Sequence, residues 1–202
     1  MNDATRALNP TLFAVERVDE PAERTNRSNT GKLFERELEQ TAGGYVNRRI
    51  ATLRKVDPPV AIIWPRDKIT GKPTQRVTFK QNPWLDFAGC WIARNGRMLL
   101  VEAKSTSSHR LPFKRHGGLT EEQVATIRTW RLSLAAVCVL WRWNDQVTLW
   151  TPEMLGEAEA RGDKSLLFEA GIPVPRGEGN VIWNFLPVLE TALFPANKVD
   201  AC

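Results

Sequence analysis

Cysteine is scarce and unpatterned in this chain: Cys90, Cys138 and Cys202 are all there is of it. None stands in a C-x-x-C pair or at zinc-ligand spacing, and an odd number is a poor basis for a disulfide framework. The expected setting is a reducing one, the cytoplasm. No apolar run approaches the ~18–20 residues that a membrane span needs, and the N-terminus lacks the basic start and apolar centre of a secretory signal. The two histidines, His109 and His116, sit among Ser, Gly and cations with no third ligand at metal spacing, which argues against a zinc site. The chain has no internal repeat.

What it does have is enough apolar sequence for a full core: 202 residues, 42% hydrophobic, fit one domain. Lys and Arg number 28 against 23 Asp and Glu, a net charge of +5 with a pI near 9.4. That balance permits a polyanionic partner without requiring one.

The chemistry points to Leu99-Leu100-Val101-Glu102-Ala103-Lys104-Ser105-Thr106, an apolar run interrupted by an acid and a base. Residues two apart on a strand share a face, so Glu102 and Lys104 stand together in an otherwise buried strand. Upstream, Trp84-Leu85-Asp86-Phe87-Ala88-Gly89 reads as its partner, and Arg94-Asn95-Gly96-Arg97 between them is a hairpin signal. Asp86 and Glu102 are 16 positions apart, so a two-residue loop puts them on opposite faces. A three-residue loop, Arg94-Asn95-Gly96 with Gly96 left-handed, instead pairs Ala93 with Arg97, Ala88 with Glu102 and Asp86 with Lys104. Asp86, Glu102 and Lys104 then share one face at one end of a strand pair that is apolar elsewhere on both sides. Such a pair is expected at the centre of a sheet covered by helices. The two carboxylates can converge on one hard cation, and Lys104 stands beside it.

Around this centre the chain reads as follows. Residues 1–28 lack a sustained period and are expected to form a mobile arm, with 29–202 as a single domain. A helix starts at Asn29 or Thr30 and carries Phe34, Leu38, Thr41 and Tyr45 on one stripe. Glu35 lies beside that stripe, where a charge is ordinary for an amphipathic helix. Ile50 to Val56 is a strand, ended by Asp57-Pro58-Pro59. Two β-like runs, Val60–Trp64 and Arg76–Lys80, then flank a Pro- and Gly-containing tip, so 57–80 is a protruding hairpin. Within it Arg66, Lys68, Lys72, Arg76 and Lys80 face only Asp57 and Asp67, a local net of +3. A solvated hairpin and a nucleic-acid contact both fit that charge, and Trp64 suits either sheet packing or base stacking.

After the acidic strand, Ser105–Leu119 is a loop whose hydroxyls and cations Arg110, Lys114 and Arg115 suit phosphate oxygens. Thr120-Glu121-Glu122-Gln123 is a capping box that opens a helix. Gln123 also shares a face with Ile127, Trp130 and Leu134, which turns it toward the sheet. Ala136–Trp143 and Val147–Trp150 are strands, Thr151-Pro152 opens a short helix, and Asn184–Phe194 is the last helix. Most of the tryptophans are expected in packing positions. The fold class is α/β, a mixed central β-sheet flanked by helices.

Asp86 followed across a hairpin by Glu102-Ala103-Lys104 resembles the PD-(D/E)xK nuclease core. Gly31-Lys32-Leu33-Phe34-Glu35, Phe79-Lys80-Gln81, Glu102-Ala103-Lys104-Ser105-Thr106, Leu111-Pro112-Phe113 and Gln123 follow in an order and spacing similar to the RecU family of Holliday-junction resolvases, from about Asn26 to about Leu189. The resemblance implies a restriction-endonuclease-like core and Mg²⁺-dependent hydrolysis of DNA phosphodiesters at a four-way junction. It implies catalytic roles for Glu35, Asp86, Glu102 and Lys104, and a metal site of Asp86, Glu102 and Gln123. It further implies a stalk that enters the junction centre, DNA contacts from Arg66, Lys68, Lys72, Arg76, Arg110, Lys114 and Arg115, and a homodimer, and leaves open a recombinase as a further partner. Where the family carries a threonine two positions before the acid, this sequence has Trp84, whose indole cannot ligate Mg²⁺. Two other functions share the core: a repair- or restriction-type endonuclease, and a non-catalytic junction-binding protein.

Overall fold

The computed structural model describes residues 27–57, 60–63, 70–71, 76–79, 85–115 and 117–195. The arm up to Asn26, Trp64, Trp84, His116 and the stalk cations Arg66, Lys68 and Lys72 lie outside them.

Helix α1 (Arg27–Asn47) begins slightly ahead of its expected start. Phe34, Leu38, Thr41 and Tyr45 are all buried, so the apolar stripe is the packed face. The helix runs on through Gly43-Gly44, and Gly44 lies against Asn180-Val181, where an added Cβ would be 2.7 Å from Val181 Cγ2. Next come β1 (Thr52–Lys55), β2 (Val60–Ile63), β3 (Arg76–Phe79), β4 (Phe87–Trp91), β5 (Arg97–Thr106) and β6 (Arg110–Pro112). They are followed by α2 (Glu121–Leu132), β7 (Ala136–Trp143), β8 (Gln146–Trp150), α3 (Pro152–Ala160), β9 (Ser165–Leu167), β10 (Ile172–Pro173) and α4 (Phe185–Leu193).

Six strands form the central sheet in the order β1-β4-β5-β7-β8-β10. It is mixed because α2 carries the chain from β5 to a parallel β7, whereas the other neighbours run antiparallel. The middle strands are buried on both faces, as an interior strand between helix layers must be. Leu99, Val101 and Cys138 face α1 and α4; Leu100, Val137 and Val139 face α2, α3 and the small β6–β9 sheet. Each fully buried leucine contributes about 1.5–3 kcal/mol. β2 and β3 pair as a separate ribbon, Val60 opposite Phe79 and Ile63 opposite Arg76, so the expected hairpin is present in its described stems.

The β4–β5 register corrects the expected one by two residues. Ala88 faces Leu100, not Glu102, and Trp91 faces Arg97. Ile92–Arg94 form a 3₁₀ turn, and Asn95 at φ 54° and Gly96 at φ 72° are both left-handed. The loop is therefore longer than the three residues expected. Because the side-chain period of a strand is two, a slip of two leaves every residue on its expected face. What changes is the partner of Asp86: continuing the ladder past Phe87 opposite Val101 brings it level with Glu102.

Candidate active site

Glu102 lies near the middle of β5, 1% exposed, and three groups meet at it. Lys104, two residues on and on the same face, places Nζ 2.8 Å from Glu102 Oε1. Gln123, at the start of α2, donates its side-chain N–H to the same oxygen. Asp86 approaches from the neighbouring strand, and its Oδ2 accepts the Ala103 N–H at 2.9 Å.

Gln123 holds this position because it is tied at both ends. Its Oε1 accepts the Thr120 backbone N–H at 3.0 Å, while Thr120 Oγ1 accepts the Gln123 N–H at 3.2 Å. The capping box and the inward-facing reading of Gln123 are thus both correct: the amide oxygen serves the cap and the amide nitrogen serves Glu102.

The electrostatics follow from burial. The Glu102 carboxyl is pushed up to about 7, first by loss of water and then by the charge of Asp86, with Lys104 pulling the other way. Burial also raises Asp86; the Ala103 N–H and Lys104 oppose this, and the Glu35 charge adds to it. Burial is the main reason that both bind protons more tightly than usual, and at Glu102 the Asp86 charge adds to it.

Glu35 is near this cluster and tied elsewhere. Its Oε2 lies 2.6 Å from Lys55 Nζ on β1, and that contact raises the Lys55 amine. Lys55 is the charged neighbour that the sequence reading missed; a cation twenty residues from its acid carries no local signal.

The loop cations divide. Arg110 and Arg115 are exposed. Lys114 is engaged by Glu159 of α3 at 2.6 Å, and Arg128 reaches the same carboxylate. Arg76 opens β3 on the ribbon.

Among the described residues no group of three or more His, Cys, Asp and Glu side chains forms a metal cage. The donor set is two carboxylates, Glu102 buried and Asp86 half-buried, while the Gln123 amide oxygen is taken by its helix cap. That set fits Mg²⁺, which takes one or two carboxylates and keeps several waters, and it lacks the nitrogen and sulfur donors of a zinc site.

The family model described as Recombination protein U, RecU, matches residues 29–156. The chain belongs to the RecU family. The match takes in α1 from Asn29 on, the β4–β5 hairpin, α2 and the whole cluster around Glu102. No curated protein sequence matches this chain. Among solved structures, Hjc, a Holliday junction resolvase from the archaeal hyperthermophile Archaeoglobus fulgidus, is similar at 15% identity and a TM-score of 0.44, over 71% of this chain and 95% of that one. The RecU match and the mixed sheet flanked by helices agree with the expected fold class. No helix among the described residues is long and apolar enough to cross a membrane.

Proposed function

We propose that this RecU-family chain is a Mg²⁺-dependent endodeoxyribonuclease that resolves four-way DNA junctions, with Mn²⁺ able to substitute. The observation that carries the reading is the meeting of Asp86 and Glu102 across the β4–β5 pair, with Lys104 on the Glu102 oxygen.

Asp86 and Glu102 would hold the cation, with Gln123 fixing the Glu102 carboxylate in its rotamer. When bound, such a cation supplies Lewis-acid polarisation of a phosphoryl oxygen and acidifies water. Lys104 donates to a phosphoryl oxygen as charge builds on it, while water oxygen bonds to phosphorus and the P–O bond to the leaving oxygen breaks. Glu35 acts from outside this shell, setting the charge around Asp86 and holding Lys55. The sheet and α2 keep bulk water from the Glu102 side, which strengthens each of these interactions.

A junction has two-fold symmetry, so paired nicks on opposite arms call for a C2 homodimer with one site per subunit. The basic hairpin 57–80 is the segment suited to the junction centre. The cytoplasm is the proposed location and a recombinase the proposed protein partner.

The test is incubation of the protein with a synthetic four-way junction and Mg²⁺, with nick positions mapped on all strands. Paired symmetric nicks that vanish with Glu102→Gln support the reading. Equal cutting of linear duplex would favour a repair- or restriction-type nuclease. Absence of cutting with intact junction binding would favour a binding protein.

A further inference from the structure

The family match ends at residue 156, yet the chain beyond it returns to the rim of the candidate site. β9 lies antiparallel to β6, with Arg110 opposite Leu167, Leu111 opposite Leu166 and Pro112 opposite Ser165. The Phe113 N–H donates to the Lys164 carbonyl at 3.1 Å, and the Phe168 N–H donates to the His109 carbonyl at 2.9 Å. Residues 164–168 thus fix the loop that follows the catalytic strand. Leu111 and Leu166 are buried in the core beneath α2, and alternation along a strand turns Arg110 outward.

Three cations crowd this edge: Arg110, Arg115 and, at the entry to β9, Lys164. All are exposed, and none has an ion-pair partner among the described residues. Residues 107–119 contain no acid at all. The neighbouring cations differ: Lys114 is held by Glu159 at 2.6 Å and Arg161 by Asp163 at 2.9 Å. The edge also follows the candidate site directly along the chain. β6 begins six residues after Lys104, and its core residues lie on the same face of the sheet as Gln123 and Glu102.

We propose that the β6–β9 edge, through Arg110, Arg115 and Lys164, is a rail for the phosphate backbone of one duplex arm, so that the segment after residue 156 belongs to the DNA interface. This rests on the nuclease reading above. From Arg110 to the Phe113–Lys164 bond the edge runs about 10 Å at ~3.3 Å per residue, long enough to meet more than one phosphate of a single strand. Contacts of this kind place a duplex without reading its sequence. Lys114, left-handed at φ 56° and paired to Glu159, is a positioning residue that shapes the loop and not a phosphate contact.

The experiment measures binding of the full chain, without divalent metal so that nothing is cut, to a labelled four-way junction and to a linear duplex over a series of salt concentrations. Variants are Lys164→Gln, Arg110→Gln and, as an equal charge change at the far end of the sheet, Arg49→Gln. Lys164→Gln and Arg110→Gln are each expected to weaken both substrates roughly 3- to 10-fold and to reduce the salt slope by about 0.9. Arg49→Gln should leave the slope unchanged. Lys164→Gln indistinguishable from Arg49→Gln overturns the rail while leaving the nuclease reading intact. A parent protein that binds neither DNA overturns both.

Discussion

Gln123 and Glu102 are joined side chain to side chain across the gap between α2 and β5. The Gln123 amide that makes this contact also closes the cap of its own helix with Thr120. Helix start and candidate active site are therefore one piece of structure, and the two roles of Gln123 are separable by mutation.

Thr120→Ala removes the hydroxyl that accepts the residue-123 N–H and leaves the Glu102 contact available; Gln123→Ala keeps that cap bond but removes both the return bond from the Thr120 N–H and the Glu102 contact. Thr120→Ala should cost about 1 kcal/mol in urea melts, the usual worth of an N-cap, and Gln123→Ala about 1–3 kcal/mol for its lost side-chain hydrogen bonds. Single-turnover nicking should stay near the parent rate for Thr120→Ala and fall for Gln123→Ala by at least about tenfold, equivalent to ~1.4 kcal/mol. Equal losses of nicking in the two variants would mean that the Glu102 contact contributes nothing beyond helix integrity.

The raised Glu102 carboxyl makes stability depend on pH in a direction opposite to that of an ordinary salt-bridged acid. Its usual pKa of 4.5 becomes about 7 in the folded chain. Between those values the native state holds a proton that the unfolded chain has released. The stabilisation is full below 4.5 and is lost as the pH rises through about 7. Metal-free protein should therefore melt at lower temperature at about pH 8 than at about pH 5.5, and Glu102→Gln should flatten that slope. Mg²⁺ competes with the same proton, so its thermal shift should be greater on the alkaline side. A metal-free melting profile unaffected by Glu102→Gln would contradict the burial and charge crowding described at Glu102.

Two glycines should respond oppositely to alanine. At Gly89 an added Cβ would sit 1.8 Å from the Thr52 carbonyl oxygen, in the β1–β4 pair that also positions Asp86. Gly89→Ala should cost about 1–3 kcal/mol or more, as overpacking against backbone does, and should reduce nicking too. Gly156, inside α3, has nothing within 4 Å of the added atom. Gly156→Ala should stabilise by about 0.4–1 kcal/mol. Denaturant melts of the pair decide whether the backbone approach at Gly89 is as close as described.

Much of this site is legible in the sequence because its parts are local. Alternation placed Asp86, Glu102 and Lys104 on one face, and a two-residue register slip could not alter that. The spacing of Phe34, Leu38, Thr41 and Tyr45 marked the buried side of α1. The slip itself was hidden because Asn95-Gly96 signals a turn whether or not a 3₁₀ turn precedes it. The Glu35–Lys55 and Lys114–Glu159 pairs join residues far apart in sequence, and no periodicity reports them. β6 and β9 have three residues each, too few for alternation to show, so their pairing emerges only from the fold.

Whether Asp86 and Glu102 share a divalent cation is decided by anomalous scattering from crystals of the metal-free protein soaked in Mn²⁺. The account predicts a peak between the two carboxylates, bonded to an oxygen of each at about 2.0–2.2 Å, that disappears in Asp86→Asn. A soaked crystal with no peak there, or with the ion bound to other residues, would contradict it.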